Sequence, residues 1–317
     1  MKKILYLECK TGAAGDMLMG ALYSLLTEEQ KVLFLEKLNA ISEEVCVIPQ
    51  EICKQGIGGI HMKVEINGTE EGTEAHHHHE HNHHEEEHGH TYDHEHHHEH
   101  EYAEEHVYTH EEMHIHSHDE GHTHDHDHAH SHAHDHDHAH SHAHGHHSHT
   151  SVAAILEQIS KLDMSDAVKR DAEGIYRNIA AAESKVHQTD MEQIHFHEVG
   201  SVDALIDVVG SCLALELLGV DEVQASPVCV GNGTVRCAHG ILPVPAPATA
   251  EIIKGMPVYC SSFDGELLTP TGAAILKYFV KTYTKEMHME IEEIGYGFGT
   301  KDFAQLSCVR AFLGYQK

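Results

Sequence analysis

Histidine stands at every second position in one stretch of the chain, and imidazole is a common ligand of transition metals. The stretch DHDHAHSHAHDHDHAHSHAHGH (125–146) repeats the ten-residue unit DHDHAHSHAH without change. About two to four imidazole nitrogens hold zinc, copper, nickel or iron, so the segment offers interchangeable sites without selecting one of these metals. The predicted metal ligands are His122, His124, His126, His128, His130, His132, His134, His136, His138, His140, His142 and His144.

The composition of this region, the His-rich tract, differs from that of the rest of the chain. Residues 75–150 contain 34 of the 40 histidines and 18 of the 52 acidic residues, and they contain no Lys or Arg. Because so few of these residues are apolar, we expect the tract to be disordered without a ligand. Metal buffering is the favoured function. A solvated linker and a pH-sensitive segment are the alternatives.

A second candidate site is the sequence HFHEVG, which begins at His195 and is followed by two aspartates. Residues two apart in a strand share a face, so His195 and His197 would project together while the phenylalanine between them enters the core. Asp203 and Asp207 are four apart and would share one face of the next helix. With Glu198, these groups could bind a divalent ion or transfer protons. The alternative is a polar surface strand before a capped helix.

The third candidate is RCAHGILPVPAPAT (236–249), in which three prolines alternate with other residues. Alternating prolines favour an extended backbone. We expect Arg236 and His239, which precede them, to face a substrate cleft, where arginine suits a carboxylate or phosphate. A rigid connector that enters a helix at Ala248 is the alternative.

Two small loops, TGAAGD and TPTGAA, precede segments with helical spacing of apolar residues. Free N–H groups at such helix starts can hold an anion, although ordinary capping by Thr269 with Pro270 in the first turn also explains the second loop. The first loop lacks the Gly-Lys-Ser/Thr ending of a phosphate-binding P-loop. The predicted substrate-binding residues of these loops are Gly12, Gly15, Asp16, Thr269, Thr271 and Gly272.

The elements that must position these residues alternate between strand and helix along the chain. KILYLEC is predicted to be a buried strand, GAAG a turn and DMLMGALYSLL a helix; a second helix (28–38) and two strands (45–49, 60–66) separated by a GIGG turn follow. Beyond the tract we expect two amphipathic helices capped by Ser151 and Ser165, and then more strands and helices.

This pattern predicts an α/β fold whose mixed or largely parallel sheet has flanking helices and is interrupted by the disordered His-rich insertion. The predicted organisation is an N-terminal part of the domain (1–70), the insertion (71–150) and the remainder of the domain (151–317). A long insertion is tolerated best in a loop.

Charge and hydropathy restrict the class of protein. A formal net charge of −32 argues against nucleic-acid binding, because an acidic chain repels phosphate backbones. The sequence shows no long apolar run typical of a membrane span and no signal peptide, and its eight cysteines are scattered without a CxxC pair. These features predict a cytoplasmic protein with reduced thiols and no membrane partner.

The segments GAAGDM, HFHEVGSVDALIDVVG, AHGILPVPAPAT and GELLTPTGAAI, in this order and with a His-rich insertion, resemble the nickel-insertion proteins of nickel-pincer cofactor biosynthesis, the LarC family. The resemblance covers essentially the whole chain outside the tract. It implies delivery of Ni(II) to pyridinium-3,5-bisthiocarboxylic acid mononucleotide, which forms the cofactor of lactate racemase and related nickel-dependent enzymes. It also implies a CTP-dependent nickel insertase, a cyclometallase of the lyase class, that uses Mn(II) or Mg(II).

Members of this family continue into a C-terminal domain associated with nucleotide binding, whereas this chain stops at Lys317. We therefore expect a separate C-terminal nucleotide-binding polypeptide as a partner and leave open both CTP use by this chain alone and a homo-oligomer. The expected base for the pyridinium C4 proton, or the nickel-transfer site, is His195, His197 or Glu198, with Asp203 beside them. The alternative function is a non-catalytic nickel or zinc storage protein or metallochaperone.

Overall fold

A computed structural model describes residues 1–70, 150–196 and 199–316. The His-rich tract, with its twelve predicted metal ligands, lies outside the described residues, as do His197 and Glu198. The predicted fold class is confirmed for the described residues, which form a large mixed sheet with helices packed against it.

The helices and strands alternate along the described chain. The α-helices are α1 (Gly15–Ser24), α2 (Glu28–Asn39), α3 (Val152–Lys161), α4 (Asp166–His187), α5 (Val202–Leu218), α6 (Pro247–Ile252) and α7 (Pro270–Phe279). The strands are β1 (Lys2–Glu8), β2 (Val45–Lys54), β3 (Ile57–Ile66), β4 (Thr69–Glu70), β5 (Thr150–Ser151), β6 (His195–Phe196), β7 (Glu222–Ala225), β8 (Val228–Cys229), β9 (Gly231–Asn232), β10 (Thr234–Cys237), β11 (Gly240–Pro243), β12 (Val258–Tyr259), β13 (Gly265–Glu266), β14 (Val280–Tyr283), β15 (Glu290–Phe298) and β16 (Val309–Gln316).

The main sheet has the strand order β14, β7, β1, β16, β15, β3, β2, and β4 pairs with β3. β1 pairs with β7 in parallel and with β16 antiparallel, so both kinds of ladder meet at one strand. β1 lies in the middle of the sheet because Ile4 to Leu7 form an unbroken apolar run, which suits a strand covered on both faces.

Helix α1 packs against β15, β3 and α5, and α5 in turn contacts α2, α4 and α7. The close approach of α1 to β15 depends on glycine, because a Cβ on Gly297 would lie 1.8 Å from the carbonyl oxygen of Met17. Most of α5 is buried, from Ala204 to Leu215, so this helix forms the centre of the helical layer. The arrangement fixes the first turns of α1, α5 and α7 relative to one another.

Several local predictions are confirmed by hydrogen bonds. The Ser151 and Ser165 hydroxyls cap α3 and α4 by accepting hydrogen bonds from the N–H groups of Ala154 and Val168. Thr269 caps α7, and Pro270 occupies its first turn. Each of these helices begins where the sequence placed a short hydroxyl side chain before apolar residues at helical spacing.

The turn between β2 and β3 includes only the first glycine of the predicted GIGG turn. The chain turns at Gln55 and Gly56, whose φ angles are 50° and 82°, and β3 then begins at Ile57 and contains Gly58 and Gly59. Gly59 is required in this strand by close packing, because a Cβ there would lie 2.5 Å from the Phe298 ring. A glycine pair in a strand was thus mistaken for a turn.

Two segments of the second half of the chain contain an interruption or a reversal of direction. The interruption in EVQASPVCV between β7 and β8 includes Pro227, which cannot donate to a ladder. The segment from Arg236 to Pro243 forms the hairpin β10–β11, with Arg236 opposite Ile241, instead of continuing in one direction. The hairpin reverses at residues 238–239, before the prolines begin.

None of the helices in the part of the chain that the structure describes is both long enough and apolar enough to span a membrane. All eight cysteines lie in the described residues, and all are free thiols, as their scattered spacing predicts.

Candidate functional site

Helices α1, α5 and α7 begin around one cavity of about 300 Å³. This volume is at the low end of the range for sites that hold small molecules. The described residues of its wall are Ala14, Gly15, Asp16, Met17, Val199, Ser201, Asp203, Ala204, Asp207, Glu266, Leu267, Thr269, Pro270, Thr271, Gly299, Thr300, Lys301, Phe303 and Ser307. We call it the aspartate cavity.

Backbone hydrogen bonds join the two small loops predicted from the sequence. The N–H of Ala13 donates to the carbonyl of Leu267 (2.9 Å), and the N–H of Thr269 donates to the carbonyl of Ala13 (3.2 Å). Gly12 has a φ of 95°, and a Cβ there would lie 2.0 Å from the Leu267 carbonyl oxygen. A Cβ on Gly272 would lie 2.3 Å from the Ala13 oxygen. These glycines therefore let the starts of α1 and α7 touch.

Three aspartates, Asp16, Asp203 and Asp207, line the cavity. The Asp16 carboxylate accepts hydrogen bonds from the N–H groups of Met17 (2.7 Å) and Thr300 (3.2 Å). Burial nevertheless raises the pKa of Asp16 above its ordinary value, while these two N–H groups and the charges of His61 and Lys54 oppose the rise.

Asp207 is the most deeply buried carboxylate of the cavity. Its side chain is 6% exposed, and among the described residues its Oδ1 has no hydrogen-bond partner. A Cβ on Gly15 would lie 2.3 Å from Asp207 Oδ2, so only glycine at this position lets the helix start reach the carboxylate. Burial first, and then the charges of Asp203 and Asp16, raise the pKa of Asp207 well above its ordinary value. A carboxylate in this environment binds a proton more strongly than an ordinary aspartate does.

The helix starts add partial positive charge to the same cavity. The hydroxyls of Ser201 and Thr269 each accept one hydrogen bond from the first turn of their helices, whereas Ala14, the N-cap of α1, makes no side-chain cap. Lys301 contributes a full positive charge at the wall. The cavity therefore presents carboxylates, which attract cations, beside N–H groups, which attract anions.

A second cavity, of about 250 Å³, lies beside the β10–β11 hairpin. Its described wall contains two imidazoles, His187 and His239, with Glu183 and Cys237. Val199, Glu266 and Pro270 belong to the walls of both cavities, so the two are adjacent. We call the second one the histidine cavity.

The structure brings together some of the predicted site residues and separates others. The group at the aspartate cavity is Gly15, Asp16, Asp203, Thr269 and Thr271, with Gly12 and Gly272 in the loop contact beside it. His239 lies in the histidine cavity.

Two other predicted residues lie elsewhere. Arg236 is exposed on β10, outside the described walls of both cavities. His195 is exposed on β6, also outside these walls. Phe196 is buried as expected, with its ring 5.9 Å from that of Tyr176. His197 and Glu198 fall outside the described residues, so their positions stay predictions.

Sequence reasoning did not single out His187 and Glu266, and it grouped Asp207 with Asp203 as a possible metal ligand or proton acceptor without showing that Asp207 is buried. The Glu183–His187 spacing of four residues was a usable signal, because such residues share a helix face. The burial of Asp207 was not readable, since it depends on Gly15, a residue far away in the chain. Among the described residues, no three His, Cys, Asp or Glu side chains are already placed to hold a metal ion.

The chain is an α/β protein with a mixed sheet, and three of its helices begin around a cavity lined with carboxylates. Such a site suits a small molecule that carries both positive and negative groups. The profile of the family described as "Nickel insertion protein" matches residues 5–317, and the chain belongs to this family. No solved structure matches the chain.

Curated relatives carry a more specific name. The chain is 35% identical over 316 residues to the "Pyridinium-3,5-bisthiocarboxylic acid mononucleotide nickel insertion protein" of Clostridium kluyveri, a match that covers 99% of the chain and 63% of the relative. Proteins of the same name from Staphylococcus saprophyticus and Geobacillus kaustophilus are 46% and 43% identical, over 51% and 53% of the chain and 42% and 41% of their own lengths. The chain thus spans less than two thirds of these relatives.

Proposed function

We propose that the aspartate cavity is where Ni(II) is inserted into pyridinium-3,5-bisthiocarboxylic acid mononucleotide, the compound in the relatives' name. The observation that carries the proposal is the buried Asp207 carboxylate, whose Oδ1 is without a described partner in a cavity surrounded by helix starts. The acceptor has a cationic ring, which suits the aspartates, and anionic thiocarboxylate and phosphate groups, which suit the helix starts and Lys301.

Asp207 is the proposed base. When nickel bonds to C4 of the pyridinium ring, the electron pair of the C4–H bond becomes the nickel–carbon bond, and the proton passes to the Asp207 carboxylate. Nickel stays in the +2 state, so the step needs no oxidant. The raised pKa of Asp207 favours this transfer, because a carboxylate of higher pKa binds the proton more strongly.

The His-rich tract is proposed to be the nickel reservoir for this site. Its 34 histidines hold nickel, and the two thiocarboxylates of the acceptor are softer ligands that draw the ion away from imidazole. We propose that the reaction consumes CTP with Mg(II) or Mn(II) and uses a C-terminal nucleotide-binding polypeptide. A nickel-dependent racemase would receive the cofactor, and a cytoplasmic location would fit this chemistry.

The test is Asp207→Asn, which keeps the shape of the side chain and removes the base. Purified chain is mixed with Ni(II), the acceptor, CTP and Mg(II), with or without a polypeptide corresponding to the uncovered part of the Clostridium kluyveri relative, and the nickel-containing product is measured by mass spectrometry. Loss of a general base typically costs roughly 10²- to 10⁴-fold in rate. The parent rate should rise from acid to neutral pH, and the variant should lose this rise.

Asp163→Asn is the matched control, because Asp163 is exposed and paired with Lys37 (2.6 Å) away from the cavity wall. Circular dichroism checks that both variants are folded. Equal rates for Asp207→Asn and Asp163→Asn would remove Asp207 from the mechanism. A parent chain that binds nickel but forms no product in either arm would be a storage protein, and the proposal would fail.

A further inference from the structure

His187 and His239 come from different elements and meet in the histidine cavity. His187 is the last residue of α4, and His239 lies in the turn of the β10–β11 hairpin. Their ring centroids are 5.0 Å apart, and their planes are inclined by 36°. Neighbours in space, these two imidazoles are separated in sequence by the whole of α5 and several strands.

This separation suits two ligands of one metal ion. An imidazole nitrogen lies about 2.1 Å from a bound transition metal, which puts the ring centre roughly 3.2 Å away; two such rings at about 90–110° are then roughly 4.5–5.2 Å apart. The observed 5.0 Å falls in this range. Because no third ligand is in place among the described residues, the other coordination positions would be open.

A carboxylate lies beside one of the two rings. Glu183 Oε2 is 3.3 Å from His187 Nε2, and both residues lie on the same face of α4. A carboxylate next to a ligating imidazole fixes the ring orientation and makes the other nitrogen a better ligand. The pair therefore has the outer contact that metal-binding histidines usually have.

The position of the pair connects it with the aspartate cavity. Glu266, Val199 and Pro270 are shared by the two walls, and Glu266 carries a carboxylate at this boundary. An ion on the two histidines would therefore lie in the compartment next to the acceptor. A site with two fixed ligands holds an ion less firmly than a closed four-ligand site and so releases it more readily.

We propose that His187 and His239 form a transfer site that holds a divalent transition-metal ion, Ni(II) in this family, before it enters the aspartate cavity. The role as a transfer site rests on the proposed function, whereas binding of the ion does not. His239 thereby serves the metal, instead of the mononucleotide to which the sequence assigned it.

The first experiment measures binding at individual histidines in the full chain, so that the tract cannot mask the result. Ni(II) is titrated until the tract is saturated, and exchange of the imidazole C2 hydrogen with deuterium is followed for each histidine by peptide mass spectrometry. Exchange should slow at His187 and His239. It should not change at His288, which also lies beside a glutamate, Glu286 (3.2 Å), but is not in contact with another imidazole ring among the described residues.

Single variants then test whether protection of each histidine depends on the presence of the other. His187→Ala should remove the protection of His239, and His239→Ala that of His187, whereas His288→Ala should leave both protected. Unchanged exchange at His187 and His239 in the nickel-loaded parent would overturn the metal site, whatever the insertion assay shows.

The second experiment tests transfer. With limiting Ni(II), the double variant His187→Ala/His239→Ala should insert nickel at least about tenfold more slowly than the parent or His288→Ala, a loss typical of damage to a metal site. Saturating Ni(II) should restore the rate. A variant equally slow at both nickel concentrations would overturn the transfer role. If the parent makes no product while His187 and His239 are protected, the proposed function fails and the metal site stands.

Discussion

Histidine is distributed differently in the tract and in the rest of the chain. Within residues 75–150 there are 34 histidines, and in the repeat at 125–144 each histidine has nearly the same neighbours as the next. Outside these residues there are six, and two of them, His187 and His239, are brought to a ring separation of 5.0 Å by a helix end and a hairpin. Capacity for metal needs only composition, whereas transfer to one atom of a substrate needs fixed positions. The comparison is therefore tested most directly by experiments that measure the number of bound ions and the effect of fixed side chains separately.

The largest expected effect is on capacity. At about two to four imidazoles per ion, 34 histidines would hold roughly 8 to 17 nickel ions. Deletion of residues 76–149 should lower the number of bound ions about tenfold, as measured by calorimetric titration, without unfolding the rest of the chain. Insertion at saturating nickel should continue. A parent chain that binds one ion or none would end the reservoir proposal.

The next largest effect is on the free energy of unfolding. Substitution of one residue at a fixed position should lower it, whereas substitution of one tract histidine should not. Gly12→Ala introduces a side chain at a φ of 95° and 2.0 Å from the Leu267 carbonyl oxygen. Gly240 has nearly the same φ, 98°, with nothing within 4 Å of an added Cβ, so Gly240→Ala measures the backbone strain alone.

Strain of this kind costs about 1–3 kcal/mol, and the collision should add to it in Gly12→Ala. Urea unfolding should therefore give a lower free energy of unfolding for Gly12→Ala than for Gly240→Ala. Similar values for the two variants would show that the loop moves away from Leu267 at little cost. The contact between the two loops would then not hold the cavity in a fixed shape.

A smaller effect, of opposite sign, is expected at Asp207. Its pKa in the folded protein is raised, so the folded state binds more protons than the unfolded state and stability falls as pH rises from the ordinary carboxyl pKa, near about 4, towards the raised value. Asp207→Asn removes this loss and should raise the melting temperature at neutral pH by roughly 2–4 °C, the shift caused by about 1 kcal/mol.

The control for this stability measurement is Asp163→Asn. The hydrogen bond and charge of Lys37 lower the pKa of Asp163, so removal of its charge should not stabilise the protein. If Asp207→Asn is less stable than the parent at pH 7 and at pH 5 alike, then the buried carboxylate is not a source of instability, and its choice as the base loses its support.

The smallest effect is expected at His195. This side chain is exposed on β6 and outside the described cavity walls, so His195→Ala should change the insertion rate by less than about tenfold, well below the typical cost of removing a general base. A loss as large as that of Asp207→Asn would return the base to the HFHE segment. His197→Ala and Glu198→Gln, measured beside it, would locate the base within that segment.

The sequence predicted those features that depend on neighbours along the chain. The caps at Ser151, Ser165 and Thr269 and the burial of Phe196 follow from local spacing, and the structure confirms them. The two small loops were also recognised as possible ligand sites, but the sequence did not show that they touch each other. That contact depends on backbone hydrogen bonds between Ala13 and the Leu267–Thr269 segment.

The features that sequence reasoning missed depend on distant partners. Gly58 and Gly59 were assigned to the turn, although they lie in β3, because the need for Gly59 arises from Phe298, near the other end of the chain. His187 was overlooked because its partner, His239, lies in the turn of a hairpin. The prolines that follow indicated only an extended backbone and gave no sign of this hairpin. Sequence spacing indicates which face of a helix or strand a residue occupies. The residues that this face contacts depend on how the sheet and helices pack.

The short ladder between β5 and β6 has a consequence for the proposed delivery of nickel from the tract. Thr150 pairs with Phe196, and Ser151 with His195, so the residue that follows the last histidine of the tract is hydrogen-bonded into the folded part of the chain. In the proposed reservoir role, the tract would supply its ions by an intramolecular step, governed by an effective concentration that dilution of the protein does not change. Equal amounts of a detached His-rich peptide would lack this advantage, and its usefulness would decline with every dilution.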